Sequence, residues 1–392
     1  MLFAMFAKRL QRTIITAPMV FLGAGYVLSF TGLLPEHGAT HVLHSSAEIT
    51  LVVLLFLDAA QIDIGRLHKQ HVWPTRMLLV GLPLTMALGT LLALPFLAGW
   101  SLIGVALLAA VLAPTDAALG QAVVTNPLVP ERVRRSLTVE SGLNDGLALP
   151  LILLFTSLAG HAGDSSATNW LAFIGKQLVL GPIVGIATGI LGARLMLYAQ
   201  DHKLALCLAG VAYLGATLVD GNGFIAAFSA GLGFGFVAKR RCKFVYEFME
   251  SEGQLLTWGT FFLLGLALLP HAVAHLTLSY ALLILLSLFV VRPLAIWISL
   301  LRTDAAPMTR GFFGWFGPRG LATALFALLV VPKVGVELAE PILIIAINAV
   351  WMSALLHGVS AVPAAQWYSK KVRAKGPCPE TQALAKFVTK SP

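Results

Sequence analysis

Charge is scarce in this sequence. Asp, Glu, Lys and Arg make up 11% of 392 residues, against 58% hydrophobic, where a soluble domain carries about 25% charged residues. That shortage excludes an ordinary water-soluble globule and a disordered chain alike. Cysteine is almost missing: Cys207, Cys242 and Cys378 are odd in number and have no CxxC spacing, which excludes a disulfide framework or a cysteine metal knuckle. No HExxH, nucleophile elbow or phosphate-binding glycine loop occurs, so an enzyme is not expected. The apolar runs lack two-residue alternation, which excludes a barrel of transmembrane strands.

What the chain does have is hydrophobic length. Apolar stretches of about 18 or more residues, enough to cross a bilayer's hydrocarbon, recur throughout, and twelve spans can be placed between residues 13 and 366. Backbone in lipid must satisfy its own hydrogen bonds, so the expected fold class is all-α, a polytopic membrane protein. The expected organisation is an N-terminal stub at 1–12, a transmembrane unit of about 12 helices at 13–366 and a short basic tail at 367–392 without periodicity. The apolar run before Lys8 is too short for a span, and no small-residue cleavage site follows, so a removed signal peptide is not expected.

The cations test that count. Of 27 Lys and Arg, 23 lie at the two ends or in every second loop, from Arg66, Lys69 and Arg76 through Arg132, Arg134 and Arg135 to the tail lysines. The positive-inside rule then puts both termini in the cytoplasm, and the expected location is the cell (inner) membrane. The net charge of +9 is a topology signal. Scattered in short loops, these cations form no nucleic-acid surface.

An ionisable side chain inside a span costs at least about 2.5–3.5 kcal/mol on insertion scales, so each is a functional candidate. Those in or near spans are Asp58, Asp116, Glu140, Asp145, Asp220, Arg292 and Arg319. Asp63, close to Arg66 and Lys69, reads as a charge at a helix end; Asp220 falls in an outer turn; Arg292, before Pro293, snorkels or pairs with a neighbour. Asp145 stands in "VESGLNDGLALPLILLF". Helical spacing pairs Ser141 with Asp145 and Glu140 with Asn144, giving two adjacent polar stripes. The first stripe is a hard oxygen pair suited to an alkali cation. Glu140 needs a counter-charge, and Asn144 can brace what faces it.

Asp116 follows a helix breaker. In "LLAAVLAPTDAALG", Pro114 cannot donate to the preceding turn, so a break is expected at about Ala113 to Asp116. Freed carbonyls there, such as that of Thr115, become cation ligands. In "GFFGWFGPRGLATALF", Gly317, Pro318, Arg319 and Gly320 interrupt a second span at mid-depth. The breaks are seven spans apart, so their helices run in opposite directions, as inverted repeats with two crossed, broken helices require. A buried arginine must find a carboxylate, and Glu140 is the expected partner of Arg319. His37, His41, His44, His271 and His275 lie in outer loops without a matching carboxylate or cysteine, and read as surface or pH-responsive groups.

Those motifs carry a resemblance. "APTDAALGQAVVTNPLVPERVRRSLTVESGLNDG", "GFIAAFSAGLGFG" and "GWFGPRGLA" are similar to the signatures of the monovalent cation/proton antiporters of the NhaP and Na⁺/H⁺ exchanger type, over nearly the whole chain. The resemblance implies a homodimer with a dimerisation domain and a core domain, the latter about 76–158 and part of 253–366. It implies that Asp145 is the essential cation- and proton-binding acid, that Asn144 is its neighbour, and that Ser141, the Thr115 carbonyl and Asp116 are further ligands. Asp58 falls where relatives place an acid that touches the ion through water. Glu140 and Arg319 match the family's structural ion pair. The cargo implied is H⁺ against Na⁺, with Li⁺ or K⁺ as alternatives, and no cofactor. The Asn–Asp pair is typical of electroneutral relatives. Many relatives carry one more amino-terminal helix, which the start of this sequence lacks or shortens. A K⁺/H⁺ exchanger, or another ion transporter or channel of similar architecture, stays open, because sequence does not fix the size of an ion cavity.

Overall fold

The computed structural model describes residues 16–32, 36–62, 71–116, 119–160, 167–199, 207–238, 243–376 and 378–381. The stub at 1–12, Asp63, Arg66, Lys69, Cys242 and the last tail residues lie outside that set, as do the side chains of His37, His41 and His44. Every regular element among the described residues is helical, and one helix answers to each expected span. These are α1 (Ala17–Ser29), α2 (Glu36–Ala60), α3 (Val72–Arg76, Met77–Gly81 and Leu82–Ala93 end to end) and α4 in two pieces (Leu102–Leu112, Gln121–Val124). Next come α5 (Glu131–Gly160), α6 (Ala167–Ala199), α7 (Cys207–Leu218), α8 (Gly223–Ala238) and α9 (Lys243–Ala267). The chain ends with α10 (Leu278–Leu286, Ser287–Val291, Arg292–Ser299), α11 in two pieces (Pro307–Trp315, Leu321–Val330) and α12 (Val336–Ala374). Five stretches, in α3, α5, α6, α10 and α12, are each long and apolar enough to cross a bilayer.

Local chemistry starts these helices. Ser101 and Thr277 cap α4 and α10 by accepting the N–H of Gly104 and Tyr280, and Pro307 opens α11 where a missing N–H costs nothing. The triplets α3–α4–α5 and α10–α11–α12 are built alike. Each begins with a helix holding one π turn, Met77–Gly81 or Ser287–Val291, just before a proline. Each continues through an interrupted helix and ends in a long one. The six helices of these triplets pack mainly on one another, while α1, α2, α6, α7, α8 and α9 form a second group, with α2 touching both α5 and the second piece of α11. Within the second group α1 and α9 approach to backbone contact: a Cβ on Gly25 would strike the Phe262 carbonyl, and one on Gly265 that of Leu22. Small residues allow such approach where lipid gives no hydrophobic drive.

The tail departs from expectation. Residues 367–374 continue α12, with Tyr368, Ser369 and Val372 buried. Tyr368 and Val372 join Trp73, Val133 and Phe312 in a second apolar cluster at this end of the fold. Lys370, Lys371 and Arg373 take the exposed face, so the density of charge hid an amphipathic helix.

Candidate functional site

Each interrupted helix ends at the other. The Asp116 N–H donates to the Pro318 carbonyl at 2.9 Å, and the Asp116 carboxylate accepts the Leu321 N–H at 2.7 Å. Conversely, Arg319 Nη1 donates to the Ala113 carbonyl at 3.0 Å. An anion therefore caps the start of the second piece of α11, and a cation caps the end of the first piece of α4. Both signs match the partial charges of helix termini. Glycine makes this closeness possible: a Cβ on Gly320 would fall on the Asp116 carboxylate, and one on Gly317 on the Arg292 guanidinium.

Beside the meeting point lies a cavity of about 80 Å³, walled by Asp58, Thr115, Asp116, Ser141, Asp145 and Thr257 together with leucines of α2 and α11. Ser141 and Asp145 are each 8% exposed and reach this cavity from adjacent turns of α5. Asp145 Oδ1 is buried without a hydrogen-bond partner, as is Asn144 Oδ1, an arrangement that native interiors avoid unless another group satisfies the oxygen. Asp58, Asp116 and Glu140 are near enough for their charges to act on Asp145. Such a concentration of hard oxygens and negative charge suits a small cation and repels an anion.

The other stripe of α5 turns to a structural task. Asn144 Nδ2 donates to the Thr115 carbonyl at 3.1 Å and also to the Thr115 hydroxyl. That hydroxyl in turn donates to the two Glu140 oxygens at 3.4 and 3.3 Å. The Thr115 carbonyl keeps a second lone pair. The expected partner of Glu140 needs correction. Arg292, not Arg319, makes the ion pair, through three hydrogen bonds of 3.2 Å between side chains that are each 3% exposed. The physical reason is reach. Arg319 sits inside the α11 break and is drawn to the carbonyl end of α4, whereas Arg292 follows the π turn of α10 and lies across Gly317 toward Glu140.

Four residues that the pattern did not single out for the site also border it. Arg292 carries the pair just described, Thr257 of α9 lines the cavity, and Ser353 and His357 of α12 contact the α11 break. Only Arg292 had a signal, a cation inside an apolar run. Elsewhere, Asp220 occupies an outer turn with φ of 56° and binds Lys176 at 2.8 Å. His271 and His275 lie side by side at the surface with their rings tilted by 38°, and His271 is 3.3 Å from Glu340. Beside the second apolar cluster, Arg132 binds Asp304 at 2.7 Å and lies over the Trp73 ring. Burial raises the Asp304 acid, but the hydrogen bonds from Arg132 and Trp73 outweigh it and hold the carboxyl below its ordinary range.

Residues 1–367 match the family described as sodium/hydrogen exchanger, transmembrane. The K⁺/H⁺ antiporter NhaP2 of Shewanella oneidensis is 26% identical over 361 residues, covering 89% of this chain and 62% of its own length. The K⁺/H⁺ antiporter NhaP of Alkalimonas amylolytica is 27% identical over 335 residues, 83% of this chain and 57% of its own length. The chain thus spans less than two thirds of these curated relatives. Among solved structures, the sodium proton antiporter MjNhaP1 from Methanocaldococcus jannaschii shares the fold, with a TM-score of 0.80 at 20% identity over 94% of this chain and 96% of that one.

Proposed function

The chain belongs to the sodium/hydrogen exchanger family, and from that premise we propose that it is a secondary active antiporter trading H⁺ for a monovalent cation at Asp145. The observation that carries this reading is the buried, unpaired Asp145 oxygen, in a cavity bordered by both helix breaks. In the proposed cycle Asp145 holds either a cation or a proton. Bound cation excludes the proton, and bound proton excludes the cation. An empty carboxylate is too costly to carry across the low-dielectric barrier, so only an occupied site changes sides, and exchange is obligatory. Ser141, the second lone pair of the Thr115 carbonyl and Asp116 complete the cation shell, with Asp58 acting through water. Asn144 fixes Thr115, and Glu140 with Arg292 braces the α4 break from behind. With a single exchanging acid, one cation moves for one proton and the exchange is electroneutral. The helix triplets α3–α5 and α10–α12 form the moving core, the remaining helices form the dimerisation scaffold, and the working unit is a homodimer in the cell (inner) membrane with both termini cytoplasmic.

Na⁺ is the proposed cargo, in line with the protein that shares the fold. The names of the curated relatives favour K⁺ as the second reading. The test is dequenching of a pH dye in inside-out vesicles on adding Na⁺, Li⁺ or K⁺, with an imposed membrane potential as a further arm. The native protein should respond to at least one ion independently of voltage, while Asp145→Asn should be silent. A signal retained by Asp145→Asn would sink the site assignment, and a voltage-driven signal would sink electroneutrality.

A further inference from the structure

The two breaks are braced unequally. In the first repeat the helix after the break, α5, holds it through Asn144. In the second repeat the helix after the break is α12, and at the corresponding place it carries Ser353 and His357, 0% and 2% exposed. Together they take up the peptide groups that the α11 interruption frees. The Arg319 N–H donates to Ser353 Oγ at 2.8 Å. Ser353 Oγ lies 3.1 Å from His357 Nδ1, and His357 Nε2 lies 2.9 Å from the Trp315 carbonyl. The Trp315 ring stacks on the imidazole at a centroid distance of 4.8 Å, and its Nε1 donates to Ser360 one turn nearer the cytoplasm.

Both ring nitrogens lie 2.9 Å from a carbonyl, Nε2 from that of Trp315 and Nδ1 from that of Ser353, so the ring bridges the near edge of the break to the backbone of α12. The Ser353 hydroxyl oxygen accepts from the Arg319 N–H and touches Nδ1, which ties the far edge of the break to the same ring. The contacts run without a gap from the far edge of the break through α12 to its near edge. Across the same five residues, 316–320, the opposite flank is held by Asp116, through the Pro318 carbonyl and the Leu321 N–H. The break is gripped from both sides, and any slack on the α12 side is passed to Asp116, a wall of the cation cavity.

We infer that Ser353 and His357 are positioning residues for exchange: a hydroxyl–imidazole clamp that fixes the α11 break and through it the Asp116 wall of the cation site. This rests on the antiport reading for its consequence, but the clamp itself can be tested without transport. Four variants separate the parts. Ser353→Ala removes the link to Arg319. His357→Asn keeps a group near Nδ1 but cannot reach Trp315, whereas His357→Gln keeps an amide donor near the Nε2 position. Ser353→Thr restores the hydroxyl.

In vesicles, loss of one buried hydrogen bond should raise the cation KM of Ser353→Ala and His357→Asn by about two- to tenfold. The maximal rate should stay close to native, with His357→Gln milder and Ser353→Thr near native. In purified protein, amide hydrogen exchange over residues 313–325 should quicken in the same two variants and nowhere else. A role limited to overall stability would lower protein yield and rate together and leave KM alone. Unchanged exchange at 313–325, or an unchanged KM in both damaging variants, overturns the inference. If the native protein itself shows no cation-driven flux, the antiport reading fails, while the hydrogen-exchange arm still decides the clamp.

Discussion

Replacing Arg292 by Met removes one member of a buried pair and keeps most of its volume. Glu140 then keeps only the Thr115 hydroxyl, at 3.3 to 3.4 Å. Stranding one charge of a buried pair costs about 3–5 kcal/mol, whereas three charge-assisted hydrogen bonds of 3.2 Å could not be lost for less than a fraction of that. Arg319→Met forfeits one hydrogen bond to a carbonyl, about 1.5–3 kcal/mol, and also removes a buried cation that has no carboxylate of its own, so its net cost is smaller. Polytopic proteins unfold irreversibly, so the readout is a rate: the half-life of monodisperse protein in detergent at a fixed elevated temperature, followed by fluorescence-detected gel filtration. The expected order of loss is Arg292→Met first, Arg319→Met second. The double variant Glu140→Gln/Arg292→Met should recover part of the half-life, because neither member of the pair is left without the other. A native half-life for Arg292→Met beside a collapsed Arg319→Met would refute the reasoning and return Glu140 to Arg319.

Two further outcomes are expected. Gly320→Ala places a methyl on the Asp116 carboxylate and should abolish cation-driven dye dequenching, while Gly335→Ala meets open space and should leave it unchanged; equal activity in both would contradict the meeting of the two breaks. Beyond the end of α12, Glu380 accepts from the Thr309 hydroxyl at 2.7 Å and the Ala306 N–H at 3.1 Å. Burial pushes this acid up, but those hydrogen bonds win and hold it below the ordinary 4.5. A lowered folded-state value means that its stabilisation is complete above about pH 4.5 and is lost as pH falls through the folded value. Maleimide labelling of Cys378, in protein lacking Cys207 and Cys242 and expressed relative to a free peptide thiol at the same pH, should therefore quicken only below that pH, and Glu380→Gln should label quickly at neutral pH; equal labelling of the two at pH 7 would refute this docking.

The sequence was readable where one physical rule acts alone. Hydropathy and loop cations marked twelve helices, because lipid leaves a span few alternatives. Pro114 and the Gly317 to Gly320 stretch marked the breaks, because proline and glycine act on the backbone itself. The partner of Glu140 was not readable: Arg292 and Arg319 both lie in the second repeat, and only the turn of the chain at the break decides which guanidinium reaches across. His357 gave no signal, since a lone histidine in an apolar helix does not announce two carbonyls at its edge. The buried face at Tyr368 and Val372 was masked by the lysines between them. Thr257 belongs to the opposite helix group, which helical spacing on α5 cannot reveal.

Proton release on cation binding tests the central claim most directly, because it needs no vesicle, gradient or second substrate. Purified protein in weak buffer, titrated with NaCl or KCl against choline chloride and followed with a soluble pH dye, should release close to one proton per bound cation in the pH range where Asp145 is still protonated. Asp145→Asn should release none. Cation binding without proton release in the native protein, or equal release from Asp145→Asn, would contradict the claim that one carboxylate trades the two ions.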